Sequence, residues 1–436
     1  MERITAAASE AAQRRIAGGL ERLGARRGDR IAVVAQNNIA VLSLALGALR
    51  RGVVPVMLNA ALLPQERDAL IADSEPKLVV DDAMLAALAD GPAAELAPWP
   101  LARPMHYTSG TTGAPKGVWS GILDDDAAAA LIAEEREQWA FTAGDVHLVC
   151  SPLAHSAPLR FSMGTLLAGG AVLLLDHFEA EAAVAAIAGE RPTTTFMVPA
   201  HFQRLFALKD LPSMDCFRLV AHAGAPCPEN LKRRALEVFP PAALWEFYGS
   251  TEGQFTVCSS DEWRAHPGTV GRARRYRQLS ADGDGLLWCR VPPYARFEYF
   301  RAPEKTAKTW RGDEFTVGDL GEIDADGYVF LSGRRDDLII SGGVNVYPAE
   351  VERVLGQMAG IEEVVVFPIA DERWGQRVCA AVVGGVGAEA VKEFARVQLA
   401  SYKRPKDVFI VESIPLTGRG KVLRSKLATA LGLEGC

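Results

Sequence analysis

One run of eleven residues, Tyr107-Thr108-Ser109-Gly110-Thr111-Thr112-Gly113-Ala114-Pro115-Lys116-Gly117, narrows the possibilities for this chain more than any other stretch. It sets three glycines, four Ser or Thr hydroxyls and one lysine side by side. Glycine reaches positive φ and lets backbone amides come close to a ligand. Successive amides form an anion-binding concavity, the hydroxyls add donors, and Lys116 adds a mobile positive charge. The run reads as a cradle for a polyphosphate, with an ordinary Ser/Thr/Gly surface loop as the alternative. It is not the phosphate loop of the common NTPases, in which Gly-Lys is followed directly by Ser or Thr. Here Gly117 and Val118 follow Lys116.

Strand and helix patterns alternate on both sides of this loop, which predicts parallel α/β layering. Ala11 to Leu23 has helical spacing, Arg30 to Ala35 reads as a buried strand, Ile39 to Arg50 as a helix, and Val53 to Leu58 and Lys77 to Val80 as strands. Met84 to Pro104, rich in Ala and Pro, reads as a connecting segment. Asp124, Asp125 and Asp126 precede the alanine-rich helix Ala127 to Trp139 and are expected to cap it, not to bind metal. Further strands are expected at His147–Cys150, Thr193–Val198, Leu219–Ala223, Leu244–Phe247, Leu286–Val291 and Tyr328–Leu331. After Asp336 the pattern reads β-α-β-β-α-β, a small α+β domain. A chain of 436 residues is too large for one ordinary core. The expected class is α/β: a large N-terminal domain of layered sheets and helices, residues 1–335, plus a small α+β C-terminal domain, residues 336–436.

Charge and cysteine content exclude several classes of partner. Lys plus Arg total 47 against 54 Asp plus Glu, a net charge of −7, which argues against general binding to nucleic acid or acidic membrane. The seven cysteines include no CxxC pair and are expected to be reduced, as in a cytoplasmic protein. The N-terminus lacks an apolar signal core, and the most hydrophobic run, Leu166 to Leu175, is too short and glycine-broken to span a bilayer.

Other chemistry-bearing residues sit at predicted strand ends, where α/β proteins place ligands. His155 follows one strand, although a hydrogen-bonded core histidine is the plain alternative. Another strand runs into Tyr248-Gly249-Ser250-Thr251-Glu252-Gly253: an aromatic face for a purine, a close-approach glycine and a carboxylate suited to Mg²⁺, or else a turn with a solvated glutamate. Asp319 follows Gly318 in a turn, either a carboxylate free to accept from two hydroxyls or a plain turn aspartate with no ligand.

Taken in order, these strings resemble those of the acyl-adenylate-forming (AMP-binding) superfamily, most closely its acyl- and aryl-CoA ligases, from about Ala32 almost to the C-terminus. The resemblance implies that Thr108, Ser109, Gly110, Thr111, Thr112, Gly113 and Lys116 hold ATP phosphates. It implies that Gly224-Ala225-Pro226 and Tyr248-Gly249 flank the adenine, with Thr251 beside them, and that Thr111 and Glu252 bind Mg²⁺. Pro152-Leu153-Ala154-His155 resembles the segment that lines and gates the acyl pocket. Phe161, Phe202, Ala223, Gly224, Tyr248 and Gly249 would complete the pocket wall. Phe315-Thr316-Val317-Gly318-Asp319-Leu320-Gly321 resembles the ribose-binding segment, with Val317 in place of a threonine. Arg334 would meet ribose or phosphate, Asp336 would be the hinge, and Lys421 in Gly418-Arg419-Gly420-Lys421 would be the catalytic lysine. Gly342, Gly343, Trp374, Tyr402, Arg404 and Lys406 match positions that contact CoA. Val291-Pro292-Pro293 departs from the family's Arg-Gly-Pro turn, and the region ahead of the phosphate loop is short.

A carboxylate is a poor electrophile, and condensing it with ATP at the α-phosphorus supplies AMP as a leaving group. Two anions must then meet in line, which demands fixed geometry and positive charge. The resemblance implies that Lys421 bridges the substrate carboxylate and the α-phosphate in the first step. A mobile small domain then turns about Asp336 so that a thiol can attack. The expected activity is an ATP-dependent acid:CoA ligase with ATP, Mg²⁺ and coenzyme A. Its pocket residues favour an aromatic, alicyclic or medium aliphatic acid over an amino acid or dicarboxylate. Loading of an acyl carrier protein is the enzymatic alternative, a nucleotide-binding regulatory protein without activity the other. A homodimer is left open.

Overall fold

The computed structural model describes residues 1–108, 115–341, 344–371, 374–416, 422, 424 and 427–433, with backbone alone at Asp336 and Asn345. The chain forms two compact units, Met1–Leu279 with Cys289–Phe315, and Ser280–Trp288 with Thr316–Cys436.

In the first unit an eight-stranded sheet runs, in spatial order, Glu2–Thr5, Ala171–Leu174, Val146–Val149, Thr194–Met197, Leu219–His222, Leu244–Glu246, Thr256–Ser259 and Arg272–Ala273. Its five inner strands, Ala171–Leu174 through Leu244–Glu246, are parallel. A six-stranded sheet runs Glu298–Tyr299, Lys116–Trp119, Met105–Thr108, Val54–Met57, Arg30–Val33 and Leu78–Val80. The helices Ile39–Leu49 and Ser156–Leu167 share one core cluster with strand residues of both sheets. The first is apolar all round, nine of its residues being buried, as expected of a helix with protein on every side. Asn38 caps it, its side-chain oxygen accepting from the Val41 amide at 3.0 Å. On the other face of the eight-stranded sheet, Ala180–Glu190, Pro199–Phe206 and Glu229–Val238 cover a second core.

Asp124 is the N-cap of the helix Asp125–Trp139, accepting from the Ala127 amide at 2.8 Å, with Asp125 and Asp126 in the first turn. The stretch expected to be a connector instead begins with a helix, Asp82–Ala89, capped by Asp81. Two elements escape pattern reading. The strand Glu2–Thr5 is a short polar edge, visible only through its antiparallel pairing with Ala171–Leu174. The helix Pro64–Ser74 buries only Leu70 and Ser74, so it shows no apolar periodicity.

The second unit contains the antiparallel hairpin Asp319–Ile323 with Val329–Arg334 and a five-stranded sheet. That sheet runs Val344–Val346, Ile339–Ser341, Gly375–Gly384 and Ile361–Asp371, with Asp407–Ile410 pairing parallel to Gly375–Gly384. The expected order holds, except that its first strand is doubled into a hairpin, Ile339–Ser341 with Val344–Val346. Alternation along Ile361–Asp371 puts Val366 in the core under the helices Pro348–Leu355 and Ala388–Gln398, and Val365 and Phe367 in a core on the other side. Residues 316–335 pack with this unit. Among the described residues no helix is long and apolar enough to cross a membrane.

Candidate active site

The strands on either side of the glycine-rich loop pair with Thr108 opposite Lys116 and Tyr107 opposite Gly117. A Cβ at Gly117 would lie 2.1 Å from the Met105 Cε and 3.3 Å from the Tyr107 ring, so a larger residue there would have to displace the Met105 side chain. Lys116 leaves the hairpin with its Nζ 4.7 Å from the centre of the Tyr299 ring, on the strand paired to its own. The Tyr299 hydroxyl donates to Glu252 Oε1 at 2.8 Å in a buried contact. Glu252 is 6% exposed, and its Oε2 has no hydrogen-bond partner among the described residues. Beneath it the Arg103 guanidinium donates to the Glu252 carbonyl at 3.1 Å and to the Arg296 carbonyl at 3.4 Å. Burial lowers Arg103 to about 10, and Arg277 nearby adds to the fall. A carboxylate and a lysine that both meet one tyrosine suit a divalent cation with a phosphate partner. Tyr299 and Arg103 are the residues that pattern reading missed, since neither belongs to a motif by spacing alone.

Three loops leave the carboxyl ends of parallel strands in the eight-stranded sheet. The strand Val146–Val149 leads to His155, which is exposed and precedes the helix Ser156–Leu167. Beside it, buried His106 meets the Ala154 carbonyl at 2.9 Å through Nδ1 and is lowered to about 4 by burial. Leu219–His222 leads to Gly224, Ala225 and Pro226, all exposed, with Gly224 at φ 93°. Leu244–Glu246 leads to Tyr248, which packs edge-on to Phe255 at 4.9 Å. The Tyr248–Thr256 turn closes tightly: Ser250 donates to the Gly253 carbonyl at 2.8 Å and Phe255 to that of Tyr248 at 2.9 Å. A Cβ at Gly249 would lie 2.7 Å from the Gly253 oxygen, so this turn needs a glycine there. Thr251 sits half-buried within it.

The pocket-wall residues divide between the two faces of the sheet. Phe161 and Ala223 share a cluster with Phe247, Phe196 and Trp139. Phe202, also fully buried, belongs to the core on the opposite face, stacked on Phe206. The structure does not bring Phe202 to the wall formed by the others, because the helix Pro199–Phe206 covers the sheet's other side.

Behind that wall lies a group of buried charges. Arg274, 1% exposed, reaches Glu134 at 3.0 Å and Glu135 at 2.8 Å. Arg277 meets Glu134 at 2.9 Å, and the Tyr294 hydroxyl also donates to Glu134. Arg160, from the helix that follows His155, lies 3.5 Å from Glu135.

In the second unit Asp319 and Arg334 stand opposite each other in the hairpin, with Arg334 Nε 3.1 Å from Asp319 Oδ1. Arg335–Asp337 is a single 3₁₀ turn between this hairpin and the strand Ile339–Ser341. Lys406 Nζ lies 5.3 Å from the Trp374 ring and donates to the Ser401 carbonyl, while Arg404 Nε donates to that of Leu399 at 2.7 Å. Trp374 and Tyr402 are 36% and 41% exposed, unusual for residues of that size. Ser109, Gly110, Thr111, Thr112, Gly113, Gly342, Gly343 and Lys421 lie outside the described residues.

Comparison with known proteins matches the same span. Residues 1–100 and 102–279 match the model of the AMP-binding enzyme family, and residues 350–421 match that of the AMP-binding enzyme C-terminal domain. The chain is 33% identical to a feruloyl-CoA synthase from Amycolatopsis sp., covering 96% of this chain and 92% of that one. It is 31% identical to a long-chain-fatty-acid–CoA ligase from Mycobacterium tuberculosis, covering 98% and 92%. Among solved structures, o-succinylbenzoate CoA synthetase from Bacillus subtilis, in complex with its acyl-adenylate intermediate, superposes with a TM-score of 0.84 at 26% identity, covering 96% and 92%. The phosphate-loop hairpin, the strand-end loops and these matches together make the chain a member of the AMP-binding enzyme family.

Proposed function

We propose that this chain is a cytoplasmic ATP-dependent carboxylic acid:CoA ligase that works through an acyl-adenylate and releases AMP and pyrophosphate. The observation that carries the reading is the convergence of Lys116 and Glu252 on Tyr299, at the base of the glycine-rich loop. The lysine and the loop amides, with Thr108 at the loop's entry, hold the β- and γ-phosphates. Mg²⁺, when bound through Glu252 and Thr111, supplies the charge that offsets the departing pyrophosphate. Gly224, Ala225, Pro226 and Tyr248 form an open, partly aromatic bed for adenine. From the second unit the reading takes Asp319 as acceptor for the ribose hydroxyls, oriented by Arg334. It takes Lys421 as the charge that meets the α-phosphate where negative charge builds in the transition state. No protein nucleophile is required.

For the second step, Asp336 is the pivot, and Trp374 with Lys406 offers an aromatic face and a cation to the CoA nucleotide. The acyl pocket lies beside His155, against Phe161, Ala223 and Gly249, and suits an aromatic, alicyclic or aliphatic body. The relatives named for feruloyl and long-chain fatty acyl substrates agree with such a body. Screening a carboxylic-acid library for ATP-dependent pyrophosphate release tests the first step. Adding CoA or a phosphopantetheinylated carrier protein to the acyl-adenylate then identifies the acceptor. Absence of pyrophosphate release with every acid overturns the proposal, and transfer to the carrier alone replaces CoA as acceptor.

A further inference from the structure

The structure assigns a second anionic group to the acid: we propose that Arg160 pairs with a carboxylate at the far end of the substrate, an inference that rests on the ligase reading above. Arg160 stands on the helix Ser156–Leu167, one turn in from His155. Its guanidinium carbon lies 5.4 Å from the centre of the Phe247 ring and 5.6 Å from that of Phe161. Phe161 shares its cluster with Ala223, and Phe247 immediately precedes Tyr248. The charged head therefore stands against the same aromatic surface that forms the acyl wall, with 25% of its side chain open.

Among the described residues its charge is paired only loosely. Arg160 makes no hydrogen bond among the described residues, and its buried Nε has no partner. Its one ion pair among the described residues, from Nε to Glu135 Oε2 at 3.5 Å, is too long for a hydrogen bond of good geometry, and that oxygen likewise has no hydrogen-bond partner. The Glu135 Oε1 is already engaged at 2.8 Å by Arg274, and Glu134 is taken by Arg274, Arg277 and Tyr294. Arg103, Arg160, Arg274 and Arg277 face three carboxylates in this group, Glu134, Glu135 and Glu252, an excess of one positive charge. Structural arginines elsewhere in this unit spend their donors on backbone carbonyls or carboxylates, as Arg50 does on Ala97 and Arg218 on Trp139, Ala140 and Asp145. A largely buried guanidinium without such bonds is costly to fold around. Its planar fork is matched to a carboxylate, and aromatic rings beside it keep it oriented without using its donors.

This revises the acid expected from the apolar wall alone. The body remains aromatic, alicyclic or aliphatic, and its distal end carries a carboxylate. The activated carboxylate goes to the α-phosphate, so Arg160 discriminates between acids and takes no part in bond making.

The test uses the full-length protein and paired acids: straight-chain monocarboxylic acids against α,ω-dicarboxylic acids of equal length, and benzoic and cinnamic acids with and without a second carboxylate. Pyrophosphate release gives kcat/KM for each. The wild type is expected to prefer the dicarboxylic member at the best length. Arg160→Met is expected to cut that preference about a hundredfold, mostly through KM, as for a buried charge pair losing one partner. Arg160→Lys should keep part of it, and circular dichroism checks that both variants fold. Preference of the wild type for monocarboxylic acids, or equal slowing of both members in Arg160→Met, overturns the inference and leaves the ligase reading standing. No release with any acid removes the ligase reading itself.

Discussion

Replacing Tyr299 with phenylalanine separates the two contacts that tie the phosphate-loop lysine to the carboxylate expected to bind metal. The ring that faces Lys116 at 4.7 Å stays, and a phenylalanine face attracts a cation much as a tyrosine face does. What is lost is the hydroxyl that donates to Glu252 at 2.8 Å. Tyr299 and Glu252 are 5% and 6% exposed, so water does not readily replace the donor. A hydrogen bond to a charged acceptor contributes about 1.5–3 kcal/mol. If all of it serves to orient Glu252 for the adenylation transition state, the rate falls by about ten- to a hundredfold. The assay is ATP–pyrophosphate exchange across a Mg²⁺ titration, with Tyr299→Phe, Glu252→Gln and the double variant forming a thermodynamic cycle. The expected result is a higher Mg²⁺ requirement in Tyr299→Phe and a coupling of at least about 1 kcal/mol between the two sites. Exchange within twofold of wild type at every Mg²⁺ concentration, with additive effects in the cycle, would refute the link between Tyr299 and the metal ligand.

Lys421→Ala should abolish adenylation by about a hundredfold or more while sparing thioesterification of supplied acyl-adenylate, as loss of one preorganised charge at a transition state implies; near wild-type exchange would remove Lys421 from that role. Asp336→Pro fixes φ near −65° at the proposed pivot, so single-turnover measurements should show acyl-AMP forming but reaching CoA slowly, whereas equal slowing of both steps would move the pivot elsewhere. Acid should destabilise the first unit. Burial lowers His106 to about 4 and His147 to about 3, and it lowers His222 well below 6.5, with Lys232 adjacent. Between pH 6.5 and 4 the unfolded chain therefore binds more protons than the folded one, and stability falls by up to about 1.4 kcal/mol per pH unit for each histidine. A urea midpoint that does not fall between pH 7 and pH 5 would contradict this.

Features set by neighbours in the chain were readable in advance. The Asp124 cap needs only an oxygen three residues before an orphan amide. The strand ends at His155, Gly224 and Tyr248 follow from short apolar runs broken by turn residues. The helix Pro64–Ser74 was not readable, because it rests on the body through too few apolar positions to show a period. Phe161 and Phe202 look alike in sequence, both aromatic and both in helices. The side of the sheet that each helix covers separates them, and that depends on how the crossovers pass.

The order of motifs, the strand ends and the residue types that could cradle phosphate were determined by the sequence itself, because glycine torsions, capping and apolar periodicity act over a few residues. The tertiary structure alone decided that Tyr299 lies between Lys116 and Glu252, through the antiparallel pairing of Glu298–Tyr299 with Lys116–Trp119. It alone decided that Arg160 stands against the Phe247 ring with no hydrogen bond to another described residue. A charge takes its meaning from the groups around it, and those groups come from elements up to 183 residues away in the chain, as Lys116 and Tyr299 are.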